Sequence, residues 1–543
     1  MPTLEWMGKA KVIAHHQDVP YRVLDRVYSF DKSGSHTSDN GSQNMIIHGD
    51  NLEALKALLP QYEGKINCVF IDPPYNTGFE KWIYNDNVND PRIQKWLGEV
   101  VGTEGEDLSR HDKWLCMMYP RLRLLKKLMS EDGIIAVAID DNELFNLGCI
   151  LNEIFGASNR LACAPWLSEP SGGKEKTKLR NGHEYILIYT NGSIDSLSRD
   201  EVSNGNLNLK DRFGKYRKGR ELRKWGGASS RSDRPNQWFG VTAPDGTTVY
   251  PIKNDGTEGH WRWSTKNEGM QKILTDPEYA HWELCPYDAG VVVDGQTERW
   301  VPFEKIRDAK HSIGWGTWLD KYGYNSDATS ELKQIFGNKP FDTPKPLALV
   351  QWIISLYDSE DTIVLDSFSG SGTTAHAVLN VNKTDGGNRK FIMIEMMDYA
   401  EEITAERIKR VITGYGDGAK AVEGIDESFS FYELGDPLFL DGYLNPSISV
   451  DSIREYIWYT ETNTEYNRKP SDNPYFLGTE ARVAYYFCYE TDRAVALNSE
   501  ILSSIQEKAD RYIIYADTCE LSQAALDKYN VVFKKIPRDI THF

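Results

Sequence analysis

Thr362-Ile363-Val364-Leu365-Asp366-Ser367-Phe368-Ser369-Gly370-Ser371-Gly372-Thr373-Thr374-Ala375 is the stretch on which the fold turns. Four apolar or β-branched residues read as a buried strand, and Thr373 to Val381 reads as a helix. The glycines between them let the backbone turn tightly and approach a ligand closely. A second strand, Lys390-Phe391-Ile392-Met393-Ile394, follows, and Glu395 ends it where a carboxylate can accept hydrogen bonds from ribose hydroxyls. The loop lacks the lysine of a nucleotide P-loop, which disfavours ATP by that route. Taken alone it leaves S-adenosylmethionine (AdoMet), NAD and a purely structural turn open.

Moving toward the N-terminus, the same alternation of strand and helix recurs. Met45-Ile46-Ile47 and Cys68-Val69-Phe70-Ile71 read as strands around a helix from Asn51 to Leu59. A helix over 111–129, which Gly133 stops, precedes the strand Ile134–Ile139. Asn142–Ile154 reads as a further helix and Glu184–Tyr189 as a further strand. Such alternation predicts a mostly parallel sheet covered on both faces. Directly after Ile71 stand Asp72-Pro73-Pro74-Tyr75. The prolines stiffen the turn and fix both the Asp72 carboxylate and the Pro73 carbonyl. Two acceptors of this kind suit the two hydrogens of an exocyclic base amine, and Tyr75 offers a face on which an extruded base can stack. A tight loop at a strand end explains the prolines, but not the aromatic in fourth place or the following Asn76-Thr77-Gly78.

The alternation fails over 192–335, which is rich in Gly, Trp, Lys, Arg and Asn, and resumes at Thr362. One α/β unit is therefore interrupted by a large insert. Within it, residues 209–234 carry 10 basic and 3 acidic residues. The whole chain of 543 residues has a net charge of −18, and in 416–543 acidic residues outnumber basic ones nearly two to one. A local basic stripe can still hold phosphates, because exposed charges more than about 10 Å apart are screened. Residues 31–43 read as a linker. The seven cysteines form no CxxC pair and read as free thiols in a reducing compartment. His15-His16 lacks other ligands at metal spacing, so no metal site is expected. No run of eighteen apolar residues predicts a membrane span, and no secretory signal is read at Met1–Trp6, so the expected location is cytoplasmic.

DPPYNTG at 72–78 and FSGSGTTAHAV at 368–378 resemble motifs IV and I of the β class of amino-methyltransferases, in which the catalytic motif precedes the AdoMet motif. The chain is most similar to the modification subunit of type III restriction–modification systems, through GDNLEALKALLP (49–60), IAVAIDDNE (135–143), HEYILIYTN (183–191), TPKPLALVQWII (343–354) and FKKIPRD (533–539). The resemblance implies an α/β, Rossmann-like AdoMet-dependent methyltransferase fold. Its mostly parallel sheet has a circularly permuted motif order, an inserted target-recognition domain and an α+β C-terminal domain. The parts expected are an N-terminal arm and linker (1–43), two portions of the catalytic core (44–191 and 340–415), the target-recognition insert (192–339) and an acidic C-terminal domain (416–543).

The resemblance also assigns residues. Asp72, Pro73, Pro74 and Tyr75 are the catalytic quartet, with a leading Asp, rather than Ser, pointing to adenine N6 before cytosine N4. Asp366, Phe368, Gly370, Gly372 and Thr373 form the AdoMet loop, and Glu395 is the ribose acceptor. Asp50 and Asn51 fall where the family contacts the cofactor's adenine, and Lys345 near its methionine end, where a surface lysine is the competing reading. For the basic stretch, Lys215, Arg217, Lys218, Arg220, Arg223 and Lys224 are expected to grip phosphates. Double-stranded DNA is the implied substrate, with a second copy of the chain and a helicase–nuclease subunit as implied partners. A catalytically silent recognition subunit and an NAD-dependent oxidoreductase are the rival readings. The aromatics of 416–543, among them Tyr456, Trp458, Tyr485, Tyr486, Phe487 and Tyr515, are expected either to form that segment's own core or to serve docking.

Overall fold

The structure, a computed structural model, describes residues 3–77, 110–172, 179–192, 197–467, 471 and 473–540. Gly78 lies outside the described residues. The chain divides into two compact units, one made of 1–198 with 316–543 and the other of Arg199–Trp315.

The first unit is built on a ten-stranded sheet. Its order is Gly34–His36, Arg22–Asp31, Phe429–Pro437, Met45–His48, Lys390–Glu395, Ile363–Asp366, Ile66–Ile71, Met129–Ile139, His183–Thr190 and Arg160–Leu167. The six strands from Phe429–Pro437 to Met129–Ile139 are parallel, and the two strands at each edge are antiparallel additions. Successive side chains of a strand point to opposite faces. Thus Val69, Ile71, Ile135, Val137, Leu365 and Ile392 pack into one core with the helices Asn51–Tyr62, Arg110–Leu128 and Leu144–Phe155. Their neighbours Phe70, Val364, Phe391 and Met393 are equally buried on the other side. There the helices Leu347–Ser355, Thr373–Asp385 and Glu406–Thr413 pack against one another. Burial on both faces is why these strands read as continuous apolar runs.

Val364 and Leu365 pair with Cys68 and Val69. From Ile363–Asp366 the chain crosses to Lys390–Glu395 on one side, and from Ile66–Ile71 to Met129–Ile139 on the other. The strand order therefore reverses between these two neighbours, which opens a crevice beyond their carboxyl ends.

Four expectations are corrected. Residues 1–43 are not an arm and linker: Arg22–Asp31 and Gly34–His36 form a hairpin on the sheet, hidden in sequence by the polar, half-exposed character of an edge. The segment from 416 is not separate either, since Phe429–Pro437 is inserted between Arg22–Asp31 and Met45–His48. The insert is shorter than 192–339, because Leu319 pairs with Trp166, Asn325 N–H donates to the Ser168 carbonyl, and Leu332 packs with Phe341 and Ile403. The helix ahead of Gly133 ends at Leu128, and Met129 already opens the strand.

The rest of the C-terminal segment holds a four-stranded sheet of Phe476–Glu480, Val483–Cys488, Arg511–Ala516 and Val531–Lys535. Tyr456, Trp458, Tyr485, Phe487 and Tyr515 are buried in its core, and Tyr486 packs on the opposite face of that sheet. In the second unit a four-stranded sheet joins His281–Pro286, Glu298–Ile306, Gly214–Glu221 and Leu209–Asp211. Leu222, Trp261 and Met270 anchor that unit's own core. Among the described residues no helix is long and apolar enough to cross a membrane.

Candidate active site

The crevice contains a cavity of about 290 Å³. Asp72, Pro73, Tyr75, Lys345, Asp366, Phe368, Gly370 and Thr373 all lie on its wall. Pro74, Asp50, Asn51, Gly372 and Glu395 do not line it.

Asp72 follows directly on a buried strand. Its Oδ2 accepts from Lys345 Nζ at 2.7 Å, while its buried Oδ1 has no hydrogen-bond partner among the described residues. Burial pushes the Asp72 carboxyl above its ordinary range, and the Lys345 ammonium opposes the shift. Tyr75 donates its hydroxyl to Glu184 Oε2 at 2.8 Å, and Lys345 Nζ lies 4.9 Å from its ring centre. Burial and the two nearby carboxylates hold that phenol protonated, far above its usual range.

The turn is pinned from behind. Trp114 Nε1 donates to the Pro74 carbonyl at 2.6 Å. Asn76 adopts φ 58°, and its side chain donates to Glu143, which is fully buried and also meets His111 Nδ1 at 2.7 Å.

The glycine loop is shaped by what surrounds it. Gly370 has φ 49°, and a Cβ there would lie 3.2 Å from the Phe341 ring. Gly372 has φ 77°, and its Cβ would lie 3.0 Å from the Thr404 carbonyl oxygen. Glu395 accepts from the amides of Gly370 at 2.7 Å and Met397 at 3.0 Å. Asp366 accepts from the Phe368 amide at 3.0 Å and from the Thr374 hydroxyl at 2.6 Å. Burial raises both carboxyls to about 7 against these bonds. Asp50 caps the helix Asn51–Tyr62, accepting from the amides of Leu52 and Glu53. Asn51 donates to the Ser367 carbonyl at 3.1 Å and so ties that helix to the loop. Asp366, Phe368, Gly370 and Thr373 thus give the cavity wall a carboxyl, an aromatic ring and closely approachable backbone, a set whose chemistry suits a nucleoside with free hydroxyls.

Several residues of this site escaped the sequence reading. Glu184 sits on the cavity wall because His183–Thr190 runs antiparallel to Met129–Ile139, which brings its first residues to the carboxyl edge of the sheet. A strand's direction is not written in its composition. Arg121 is buried against Asn51 and Asp50, at 2.5 and 3.5 Å. Arg407, also fully buried, donates to Thr373 Oγ1 and Glu331 at 2.8 Å each. An arginine at a core position of an amphipathic helix was the available signal for both.

In the second unit, the basic stretch is less uniform than its charge suggests. Lys215 is exposed and Arg220 is 75% exposed, 4.0 Å from Glu304. Arg217 and Lys224 are half-buried. Lys218 is paired with Glu283. Arg223 is corrected outright as a phosphate contact: it is 4% exposed, bonded to Glu221 at 2.8 and 3.3 Å and to Asn254 at 3.3 Å. Arg217, Lys218 and Arg220 border a cavity of about 990 Å³ together with Lys272, Lys305 and Arg307, although the last two are tied to Asp211.

The N6_N4_Mtase family, described as DNA methylase, matches residues 66–406. The chain is 32% identical to the type III restriction–modification enzyme EcoPI Mod subunit of Escherichia phage P1, over 72% of this chain and 63% of that subunit. It thus spans less than two thirds of that relative's length. It is 33% identical to the type II methyltransferase M.KpnI of Klebsiella pneumoniae, over 66% of this chain and 81% of that enzyme. The solved M1.HpyAVI–SAM complex aligns with 67% of this chain and 98% of its own, at 14% identity and a TM-score of 0.30. The match across both strand-end loops, and the identity to M.KpnI over most of that enzyme, make this chain a member of the N6_N4_Mtase family of DNA methylases.

Proposed function

We propose that this chain methylates N6 of an adenine flipped out of duplex DNA. The single observation that carries the reading is Asp72, whose buried Oδ1 is unpartnered beside the glycine-loop cradle. Gly370, Thr373, Asp366 and Phe368 would hold S-adenosylmethionine along the cavity wall, with Glu395 shaping the loop from behind. When bound, it supplies an electrophilic methyl group; the C–S electron pair stays on sulfur, and the new N–C bond uses the amine's lone pair. Asp72 and the Pro73 carbonyl accept the two amine hydrogens, which turns that lone pair out of conjugation and toward the methyl group. The nitrogen then gives up one proton, and Asp72, raised by burial, is suited to take it. Tyr75 supplies the stacking face. No covalent enzyme intermediate is required, so the chain contributes positioning and electrostatics.

The 199–315 unit is proposed as the target-recognition part, gripping phosphates through Lys215, Arg217, Arg220 and Lys224. The relatives named type III Mod subunits support assigning the chain to modification in such a system; a cytoplasmic location, a second copy and a helicase–nuclease subunit belong to the same proposal.

The test is transfer of tritiated methyl groups to plasmid DNA, followed by mass spectrometry of the nucleosides. N6-methyladenine is expected. Asp72→Ala should cut the rate by about a hundredfold, roughly 3 kcal/mol, while sparing AdoMet binding. N4-methylcytosine, or an Asp72→Ala rate near wild type, would sink the assignment.

A further inference from the structure

Lys345 stands between two carboxylates. Its ammonium is 2.7 Å from Asp72 Oδ2 and 3.5 Å from Glu184 Oε2, and its side chain is 8% exposed. Glu184 is itself held, accepting from the Tyr75 hydroxyl at 2.8 Å and from Asn325 Nδ2 at 3.4 Å. A buried ammonium cannot be left without a counter-charge, because desolvating an unpaired ion costs several kcal/mol. An entering amine can donate to the open Oδ1 of Asp72, but the Lys345 ammonium on Oδ2 draws charge from the same carboxylate and weakens it as an acceptor of the amine's hydrogen and of the proton released later. Moving the cation off Oδ2 would restore the carboxylate, and the second carboxylate already lies within 3.5 Å to receive it.

We propose that Lys345 occupies Asp72 as a stand-in for the target amine and passes to Glu184 when the base enters. Glu184 is then a positioning residue: it receives the displaced cation and holds the Tyr75 ring by its hydroxyl. The inference rests on the methyltransferase reading of the same cavity and adds to it a second carboxylate with a defined task. The exchange keeps the site's charge constant, since one ammonium stays shared between the same two carboxylates while a neutral base arrives. It also gives the resting site a reason to hold Asp72 ionised although burial opposes this.

The test is a double-mutant cycle on plasmid methylation, using Glu184→Gln, Lys345→Met and the pair. Glu184→Gln keeps an oxygen for Tyr75 and Asn325 but removes the charge that receives Lys345. It should lower kcat about tenfold with AdoMet affinity, by calorimetry, within about twofold of wild type. In the Lys345→Met background the same change should cost nothing further, because no cation remains to be moved. Independent, multiplying losses in the double variant, or a Glu184→Gln rate equal to wild type, would overturn the exchange. If Glu184→Gln fails to fold, Glu184→Asp serves: it withdraws the acceptor by one methylene and should lose about threefold, again only while Lys345 is present. A wild-type chain that methylates no plasmid would instead sink the methyltransferase reading beneath it.

Discussion

In the glycine loop after Asp366, two buried carboxyls are held by backbone amides. Gly370 N–H fixes Glu395, and Phe368 N–H fixes Asp366. In the strand Gly214–Glu221 and the turn after it, charged groups are held by other side chains, often far along the chain. Lys218 meets Glu283, Lys305 meets Asp211, and Arg223 turns onto Glu221. The first arrangement makes a loop whose shape follows from backbone geometry between residues at most 25 positions apart. The second makes a surface whose usable charge depends on pairings among residues up to about a hundred positions apart. The contrast predicts different sensitivities for the two regions.

The largest effect should come from the loop's backbone. Gly372→Val places a β-branched side chain at φ 77°, with its Cβ 3.0 Å from the Thr404 carbonyl, and neither the angle nor the clash relaxes cheaply. AdoMet affinity should fall by more than about a hundredfold by calorimetry. Unchanged affinity would mean that the loop tolerates side chains and that backbone geometry is not what defines the site.

A smaller effect concerns the two buried carboxyls behind that loop. Asp366 and Glu395 both sit at about 7, raised by burial from ordinary carboxyl values. A carboxyl whose folded value is raised gives stability that is complete below its unfolded value near 4 and is lost as pH rises through about 7. The ligand-free fold should therefore lose stability between pH 4 and pH 7 through these two groups. Asp366 lies on the cavity wall, so a ligand that donates a hydrogen bond to it binds the ionised form; its affinity should rise from pH 6 to pH 8 by at most about tenfold, with a proton released on binding. Titrations in buffers of different ionisation enthalpy detect that proton. Equal affinity at both values with no proton release would remove Asp366 from the binding site.

What the sequence made legible follows the same division. The parallel strands could be read because burial on both faces leaves runs such as Cys68–Ile71 uninterrupted by polar residues. The loops at 72–75 and 366–373 could be read because glycine and proline restrict backbone directly. Arg22–Asp31 and Phe429–Pro437 were missed as members of the main sheet, since their alternating polar positions fit an edge or a loop equally well and their partners are about four hundred residues apart. Glu184 was missed because its place depends on strand direction. Arg223 was misassigned because counting charge does not reveal that Glu221, two residues away, turns back onto it.

The last and smallest effect separates the basic residues that remain available from those already used. Lys215 and Arg220 are exposed, whereas Arg223 is buried in its pair with Glu221. Each lysine or arginine that neutralises a phosphate releases a counterion, so the slope of log K against log salt becomes shallower by about 0.9 for each phosphate no longer neutralised. Lys215→Ser with Arg220→Ser should lower the magnitude of the slope by up to about 2 without moving the urea midpoint. Arg223→Ser should do the reverse: the slope stays, and the unit loses about 2 kcal/mol because Glu221 is left buried without its partner. Fluorescence anisotropy on one duplex at several salt concentrations, paired with urea unfolding, reads both. A shallower slope from Arg223→Ser at unchanged stability would show that this arginine leaves Glu221 to meet DNA. The side-chain pairing that distinguishes this unit from the glycine loop would then hold only in the absence of nucleic acid.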